Sequence, residues 1–469
     1  MGPVARRTRW SPSTGIGGRD PVERVVGLPW IQWSPSRGID GRLAPDSAIR
    51  YLKAPLEVDH FLFTAAAKDL VEKHVLVNYR FQDDTAIVSE RVPFVSFPSE
   101  WSNAQLADAA ALTLDLAKRA FMEGVELKDA SAWNVIFDGL RPVFCDHLSF
   151  RKIGGRNWWA FAQFVRHFLF PLALGRYRGL NAYLIFKIAR DGLDPAHARM
   201  LFGWRRFMTP WWPFMIEKAV DEQMVRQRVE NNDGPLRHPN LFALLDWLLG
   251  RLRPKVRRPS LWSSYTEERA HYPANSLKIK QEVIGAWLNR IKPSWVIDYG
   301  CNTGEFSKLA ASVGARVVAL DLDHDCIEKL YVDSRGRTEI FPVIADLDDL
   351  SGGRGWVGQE FSGLMPRLEA IADTSMMLAI VHHLAISASI PLQRIAELAH
   401  RTSKRWAVVE LIDEKDPLVR HLCAQRDRHP SEFSLEAQRE AFLQKFDLVE
   451  EVGIDSIGRH LLLLKARAE

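Results

Sequence analysis

Five short apolar runs in the second half of the chain, each closed by a polar residue and set apart by helical patterning, constrain its fold more than any other feature. They occupy residues 296–297 before Asp298, 316–320 before Asp321, 340–345 before Asp346, 375–381 before His382 and His383, and 406–409 before Glu410. Runs of this length, rich in β-branched residues and lacking polar alternation, read as strands covered on both faces. Strands of that kind, alternating with helices, build a doubly wound, mostly parallel sheet in a Rossmann-like α/β fold. In such a sheet, ligands gather outside the strand C-termini, where these polar residues lie.

The first run continues as Asp298-Tyr299-Gly300-Cys301-Asn302-Thr303-Gly304-Glu305-Phe306-Ser307. Gly300 and Gly304 permit a sharp turn and a close ligand approach, and a helix starting near Glu305 turns its free N–H groups toward the same place. The spacing is neither G-x-G-x-x-G nor G-x-x-x-x-G-K-[ST], which excludes a standard dinucleotide loop and a P-loop. A purely structural strand-to-helix turn would carry the same glycines, so the order of the later acids matters. Asp321 follows Asp298 by 23 residues, about where a ribose-binding acid belongs at the tip of the second strand. Together these residues resemble the D-x-G-x-x-x-G loop of class I S-adenosylmethionine-dependent methyltransferases, with a seven-stranded sheet. The resemblance implies S-adenosyl-L-methionine as cofactor, with Asp298, Gly300, Cys301, Asn302, Gly304 and Asp321 around it and Asp346 near the adenine amino group.

A sulfonium methyl is already activated, so the protein's main task is to align an acceptor, and a base is needed only for a protonated nucleophile. His382, His383 and Glu410, at the fourth and fifth strand ends, are the candidates; the alternative for the histidines is a hydrogen bond to their own loop. Asp413, Glu414 and Asp416 follow in a polar loop that would border the acceptor. No N-P-P-[YF] motif follows the fourth run, which favours a small molecule, glycan or lipid-linked saccharide over an exocyclic amine.

At 469 residues the chain exceeds the about 200 that one such sheet needs. The expected layout is an extension over 1–44, partly disordered, an α+β domain over 45–250, a basic linker over 251–275 and the methyltransferase domain over 276–469. The linker is read from Arg251-Leu252-Arg253-Pro254-Lys255-Val256-Arg257-Arg258-Pro259. Through Arg258 the chain holds 37 bases against 27 acids, and beyond it 25 against 31, an asymmetry hidden by the overall charge of +4. It fits an anionic partner of the first domain, a solvated face or complementary domain surfaces. The four cysteines, Cys145, Cys301, Cys326 and Cys423, have no paired or zinc-like spacing, so no metal is expected. The basic N-terminus lacks an apolar signal core and no window is long and apolar enough to span a bilayer, which implies a cytoplasmic protein.

The first domain concentrates twelve bases, three acids and Trp158, Trp159, Trp204, Trp211 and Trp212 between Arg151 and Val220. The aromatic residues over 158–169 recur at helical spacing, as in a core-facing helix, while peripheral contact with a membrane or carbohydrate stays open. There is no clear nucleic-acid signature. Upstream, Asp129 and Asn134 have the D-x-x-x-x-N spacing of a kinase catalytic loop, with Asp146 at the magnesium-binding position. The likeness is weak: no G-x-G-x-x-G loop precedes it, Lys53 is a guess for the nucleotide lysine, and Lys128 stands where Arg is usual. The alternative reading is therefore a kinase-like phosphotransferase, or a non-catalytic scaffold of that shape.

The segments 91–101, 127–134 and 296–307 resemble a family of two-part bacterial class I methyltransferases that includes the rhizobial host-specific nodulation protein NoeA. The likeness extends over roughly 45–465. It implies a cytoplasmic methyltransferase-like protein linked to nodulation of particular hosts, with a Nod-factor-like glycolipid or its precursor as a natural guess for the acceptor.

Overall fold

The computed structural model describes residues 47–51, 60–83, 86–155, 157–204, 236–254, 274–455 and 458–468. The expected extension, Lys53, Trp211, Trp212 and all of the basic linker beyond Pro254 except its last two residues lie outside these.

The first half begins with a three-stranded antiparallel sheet, β1 (Ser47–Tyr51), β2 (Tyr79–Asp83) and β3 (Ala86–Glu90), in the order β1-β3-β2. A long helix, Asn103–Met122, follows. Its sequence is alanine-rich, and it starts at a capping box in which Ser102 and Gln105 satisfy each other's backbone N–H groups. Two small antiparallel pairs come next: β4 (Val125–Leu127) with β7 (Phe150–Lys152), and β5 (Val135–Asp138) with β6 (Arg141–Phe144). Asp129 and Asn134 lie on the link from β4 to β5, and Asp146 just follows β6. The helical reading of 158–169 is observed from Phe161 onward, while Trp158 precedes the helix; Trp158, Phe161, Phe164, Phe168 and Leu169 are buried in one core, and Trp158 donates to the Leu127 carbonyl at 2.9 Å. Trp204, in contrast, is exposed.

The second half holds seven strands: β8 (Trp295–Tyr299), β9 (Arg316–Asp321), β10 (Ile340–Ile344), β11 (Thr374–Met377), β12 (Trp406–Ile412), β13 (Phe446–Gly453) and β14 (Arg459–Ala466). Their order is β10-β9-β8-β11-β12-β14-β13, and β14 runs antiparallel to both its neighbours. Alternation sends Ile297, Val318, Val343 and Val409 to one face and Val296, Val317, Ile344 and Val408 to the other, so each face has its own helix-covered core. The chain moves outward from β8 to β10 and then returns to place β11 beside β8. The switch point therefore falls between the C-terminal ends of β8 and β11, where a ligand crevice forms in open sheets of this kind.

The fourth apolar run does not stay extended to residue 381. β11 ends at Met377, Ala379 turns with φ 55°, and a helical segment begins before His382. Periodicity cannot separate a buried strand from the apolar turn that follows it.

The two halves are docked through polar contacts from the long helix and the segment before it. Glu100 pairs with Arg367, Asn103 N donates to His324 Nε2 at 3.0 Å, Ala104 N donates to Glu328 Oε2 at 2.8 Å, and Asp108 accepts from Tyr331 and Arg335.

Candidate active site

Asp298, one residue before the end of β8, is buried, and Ser307 Oγ donates to its Oδ2 at 2.5 Å. Burial pushes the Asp298 carboxyl up to about 6, against the pull of Ser307 and Lys280. The backbone then turns with Gly300 at φ 70° and Gly304 at φ 78°. A Cβ on Gly300 would stand 3.0 Å from Ile380 of the β11 turn, and one on Gly304 would run into Leu330. The glycines thus serve the packing of the loop as well as its turn. Cys301 is a buried thiol whose pKa is raised by burial and by the neighbouring Asp321 and Asp298.

Asn302, at φ 51°, aims its N–H at Asp321 Oδ2 at 2.7 Å, and Asp323 N donates to Oδ1 at 2.8 Å. Each carboxylate oxygen is thus held by a backbone N–H. Burial raises the Asp321 carboxyl to about 6, and the backbone donors of Asp323, Asn302 and Leu322 oppose that rise. Asp323 in turn caps the next helix, accepting from Asp325 N and Cys326 N. Asp346 lies just past β10, its pKa raised by partial burial and by Asp348.

On the far side of the switch point, His382 is buried, and among the described residues neither ring nitrogen has a hydrogen-bond partner. Burial, His383 and Arg459 all depress its pKa, so the ring is neutral at ordinary pH. The His383 ring centroid lies 4.2 Å away, and burial lowers its pKa as well. Glu410 is wholly buried in β12 and accepts from Lys280 Nζ at 2.6 Å, with Arg459 Nη1 at 3.9 Å from its other oxygen. Arg459 also pairs with Asp416 at 3.0 Å and Asp455 at 3.5 Å. Asp413 accepts from Lys415 N, so this polar loop is tied down largely by its own backbone and Arg459.

The turn after β8, the tip of β9 and the turn after β11 are therefore brought to one end of the sheet, and Gly300, Asp321 and His382 with them. Glu410 sits at the same end inside an ion-pair network. Two partners escaped the sequence reading: Lys280, on the helix Ala274–Ile291, and Arg459, at the start of β14. Neither carries a motif; only the depth of Glu410 signals that cations must be found for it.

No protein-family model matches the chain. It is 29% identical over 371 residues to the nodulation protein NoeA of Rhizobium meliloti, covering 76% of each chain. Over 171 residues, 36% of the chain, it is 29% identical to the malonyl-[acyl-carrier protein] O-methyltransferase of Hamiltonella defensa, of which it covers 63%. The seven-stranded, mostly parallel sheet of the second half has the Rossmann-like α/β form of class I S-adenosylmethionine-dependent methyltransferases.

Solved structures similar to the chain include the N-methyltransferase NodS from Bradyrhizobium japonicum, 11% identical with a TM-score of 0.31, covering 42% of this chain and 98% of that one. The magnesium protoporphyrin IX methyltransferase ChlM from Synechocystis is 14% identical with a TM-score of 0.29, covering 41% and 80%. The bifunctional kinase-methyltransferase WbdD is 18% identical with a TM-score of 0.30, covering 43% and 41%.

Among the described residues no three His, Cys, Asp or Glu side chains are grouped to hold a metal, and no helix is long and apolar enough to cross a membrane.

Proposed function

We propose that the protein binds S-adenosyl-L-methionine on the Asp298–Ser307 turn and transfers its methyl group to a small-molecule, glycan or lipid-linked saccharide acceptor. The observation that carries this reading is the backbone clamp on Asp321, which holds its carboxylate at the tip of β9 beside the glycine turn. Asp321 accepts from the ribose hydroxyls, Asp346 faces the adenine end, and the turn from Gly300 to Gly304 lies along the rest of the cofactor. When bound, the cofactor supplies an electrophilic methyl; the chain's own residues orient the acceptor and exclude water.

His382 is the favoured base. Its unpartnered ring nitrogens and depressed pKa leave a neutral acceptor of protons beside the turn. His383 is the second candidate. Glu410, held by Lys280 and Arg459, fits a role in fixing the loop that borders the acceptor better than proton transfer. Similarity to a nodulation protein supports a Nod-factor-like glycolipid or its precursor as acceptor, and a cytoplasmic setting.

The test is incubation of the purified protein with labelled methyl donor and fractionated bacterial extract. Label in a polar-lipid or oligosaccharide fraction supports the acceptor class. Label in protein or nucleic acid alone would overturn it.

A second reading rests on one observation in the first domain: Asp129 feels the charge of Asp146 and hydrogen-bonds Asn134, so the three kinase-like residues converge. It predicts a magnesium-dependent thermal shift with ATP that disappears in Asp146→Ala. A protein indifferent to ATP leaves the first domain as a scaffold.

A further inference from the structure

The helix Ala182–Ile188 belongs to the first domain, yet it is fastened to the methyltransferase domain at both ends. At its start, Ala182 N donates to Asn103 Oδ1 at 2.9 Å, while Asn103 N reaches His324 Nε2. At its end, the carbonyls of Phe186 and Lys187 accept from the Arg354 guanidinium. Arg354 lies on the segment that runs from Asp346 back into the sheet. That segment is held further by Glu360, which pairs with Arg190 at 3.0 Å, and by Phe361, whose ring lies 4.4 Å from that of Trp133. Carbonyls at a helix C-terminus lack intrahelical donors, and a guanidinium is the natural group to satisfy two of them.

So fastened, the helix turns Tyr183 and Lys187, one turn apart, toward the acids at the tips of β9 and β10. The Tyr183 ring lies 6.3 Å from the His324 ring, tilted by only 16°, and His324 directly follows the helix-capping Asp323. Lys187 Nζ stands 5.7 Å from the Tyr183 ring centroid. The charges of Asp323 and Asp346 both act on the Tyr183 hydroxyl, and that of Lys187 acts on Asp346. Asp321, Asp323 and Asp346 outline the nucleoside end of the crevice, and the exposed Leu322 between the first two offers an apolar floor.

We propose that Tyr183 and Lys187 form a wall of the purine-nucleoside end of the cofactor site, so that the site is complete only with the first domain docked. This rests on the cofactor assignment above. Tyr183 supplies an aromatic face and a hydroxyl at the rim, and Lys187 keeps Asp346 charged so that it accepts from an exocyclic amine. Both are positioning or binding residues, remote from the transferred methyl.

The experiment is calorimetric titration of the full chain with S-adenosylhomocysteine and with 5′-methylthioadenosine, which shares the nucleoside and lacks the amino acid. Tyr183→Ala and Lys187→Met should each weaken both ligands at least fivefold, by similar factors, with an unchanged unfolding midpoint. Tyr183→Phe should lie between Tyr183→Ala and the unaltered protein. Arg335→Ala, which loosens the docking contact with Asp108 away from this wall, should bind as the unaltered protein does. If the unaltered protein binds S-adenosylhomocysteine and both wall variants bind within twofold of it, the wall is wrong while the cofactor assignment stands. If Tyr183→Ala fails to fold, Lys187→Met and Tyr183→Phe decide by the same criterion. If the unaltered protein binds neither ligand, the cofactor assignment fails and takes the wall with it.

Discussion

Asn302 N–H donates to Asp321 Oδ2 at 2.7 Å, tying the glycine turn after β8 to the tip of β9. The bond makes the turn and the acid at the tip of β9 one unit, so neither can be changed alone. Asp321→Asn should weaken S-adenosylhomocysteine binding at least tenfold, about 1.4 kcal/mol or more. Because the Asp321 pKa is raised to about 6, binding by the unaltered protein should also decline as pH falls through that value. Calorimetry at pH 5 and pH 8 checks both points; an equal pH dependence in Asp321→Asn would remove Asp321 as its source.

Lys280 and Glu410 form an ion pair with almost no solvent contact. Removing Lys280 takes the nearer cation from the buried Glu410 and leaves Arg459 at 3.9 Å, and breaking a buried pair typically costs about 3–5 kcal/mol. Lys280→Met should therefore lower the urea midpoint sharply, and Lys280→Met with Glu410→Gln should recover much of the loss. Additive effects in the double variant would mean that the pair is not coupled.

His382 carries a pKa depressed below the usual imidazole range by burial, His383 and Arg459. If it takes the acceptor proton, the acidic limb of kcat falls below the ordinary histidine value of about 6.5. His382→Gln should then lower kcat by about a hundredfold or more while leaving cofactor affinity within twofold. A variant that loses affinity and rate together would point to a structural histidine.

Asp298 bears a carboxyl raised to about 6 by burial, so the folded state holds its proton more tightly than the unfolded chain does. Stability from this group is present below the unfolded value of about 3.9 and is lost as pH rises through 6, by at most about 3 kcal/mol. Asp298→Asn keeps an acceptor for Ser307 and removes the titration. Its melting temperature relative to the unaltered protein should be higher at pH 8 than at pH 4.5. A difference independent of pH would refute the assignment.

Much of the second half was legible along the chain, because a strand buried on both faces must be apolar throughout and a polar residue at its end breaks that run. This is why Asp298, Asp321 and Asp346 stood out, and why the glycine turn could be separated from a dinucleotide loop by spacing alone. His382 was legible as a residue but not as an environment: the apolar stretch from 375 to 381 conceals a turn with Ala379 at positive φ. Glu410 looked like the same kind of strand-end acid, and only its contacts with Lys280 and Arg459, respectively 130 and 49 positions away, set it apart.

By itself, then, the sequence determined the parallel sheet, the order of its polar strand ends and the cofactor class they resemble, since local periodicity and backbone conformation encode these directly. Tertiary structure alone decided which charges are paired, that His382 has no hydrogen-bond partner among the described residues, and that Tyr183 lies beside His324 and within reach of the charges of Asp323 and Asp346. Such relations depend on residues far apart in the chain, such as Lys280 and Glu410, meeting in a low-dielectric interior. No local pattern records them, because the partner's identity is set by packing rather than by spacing.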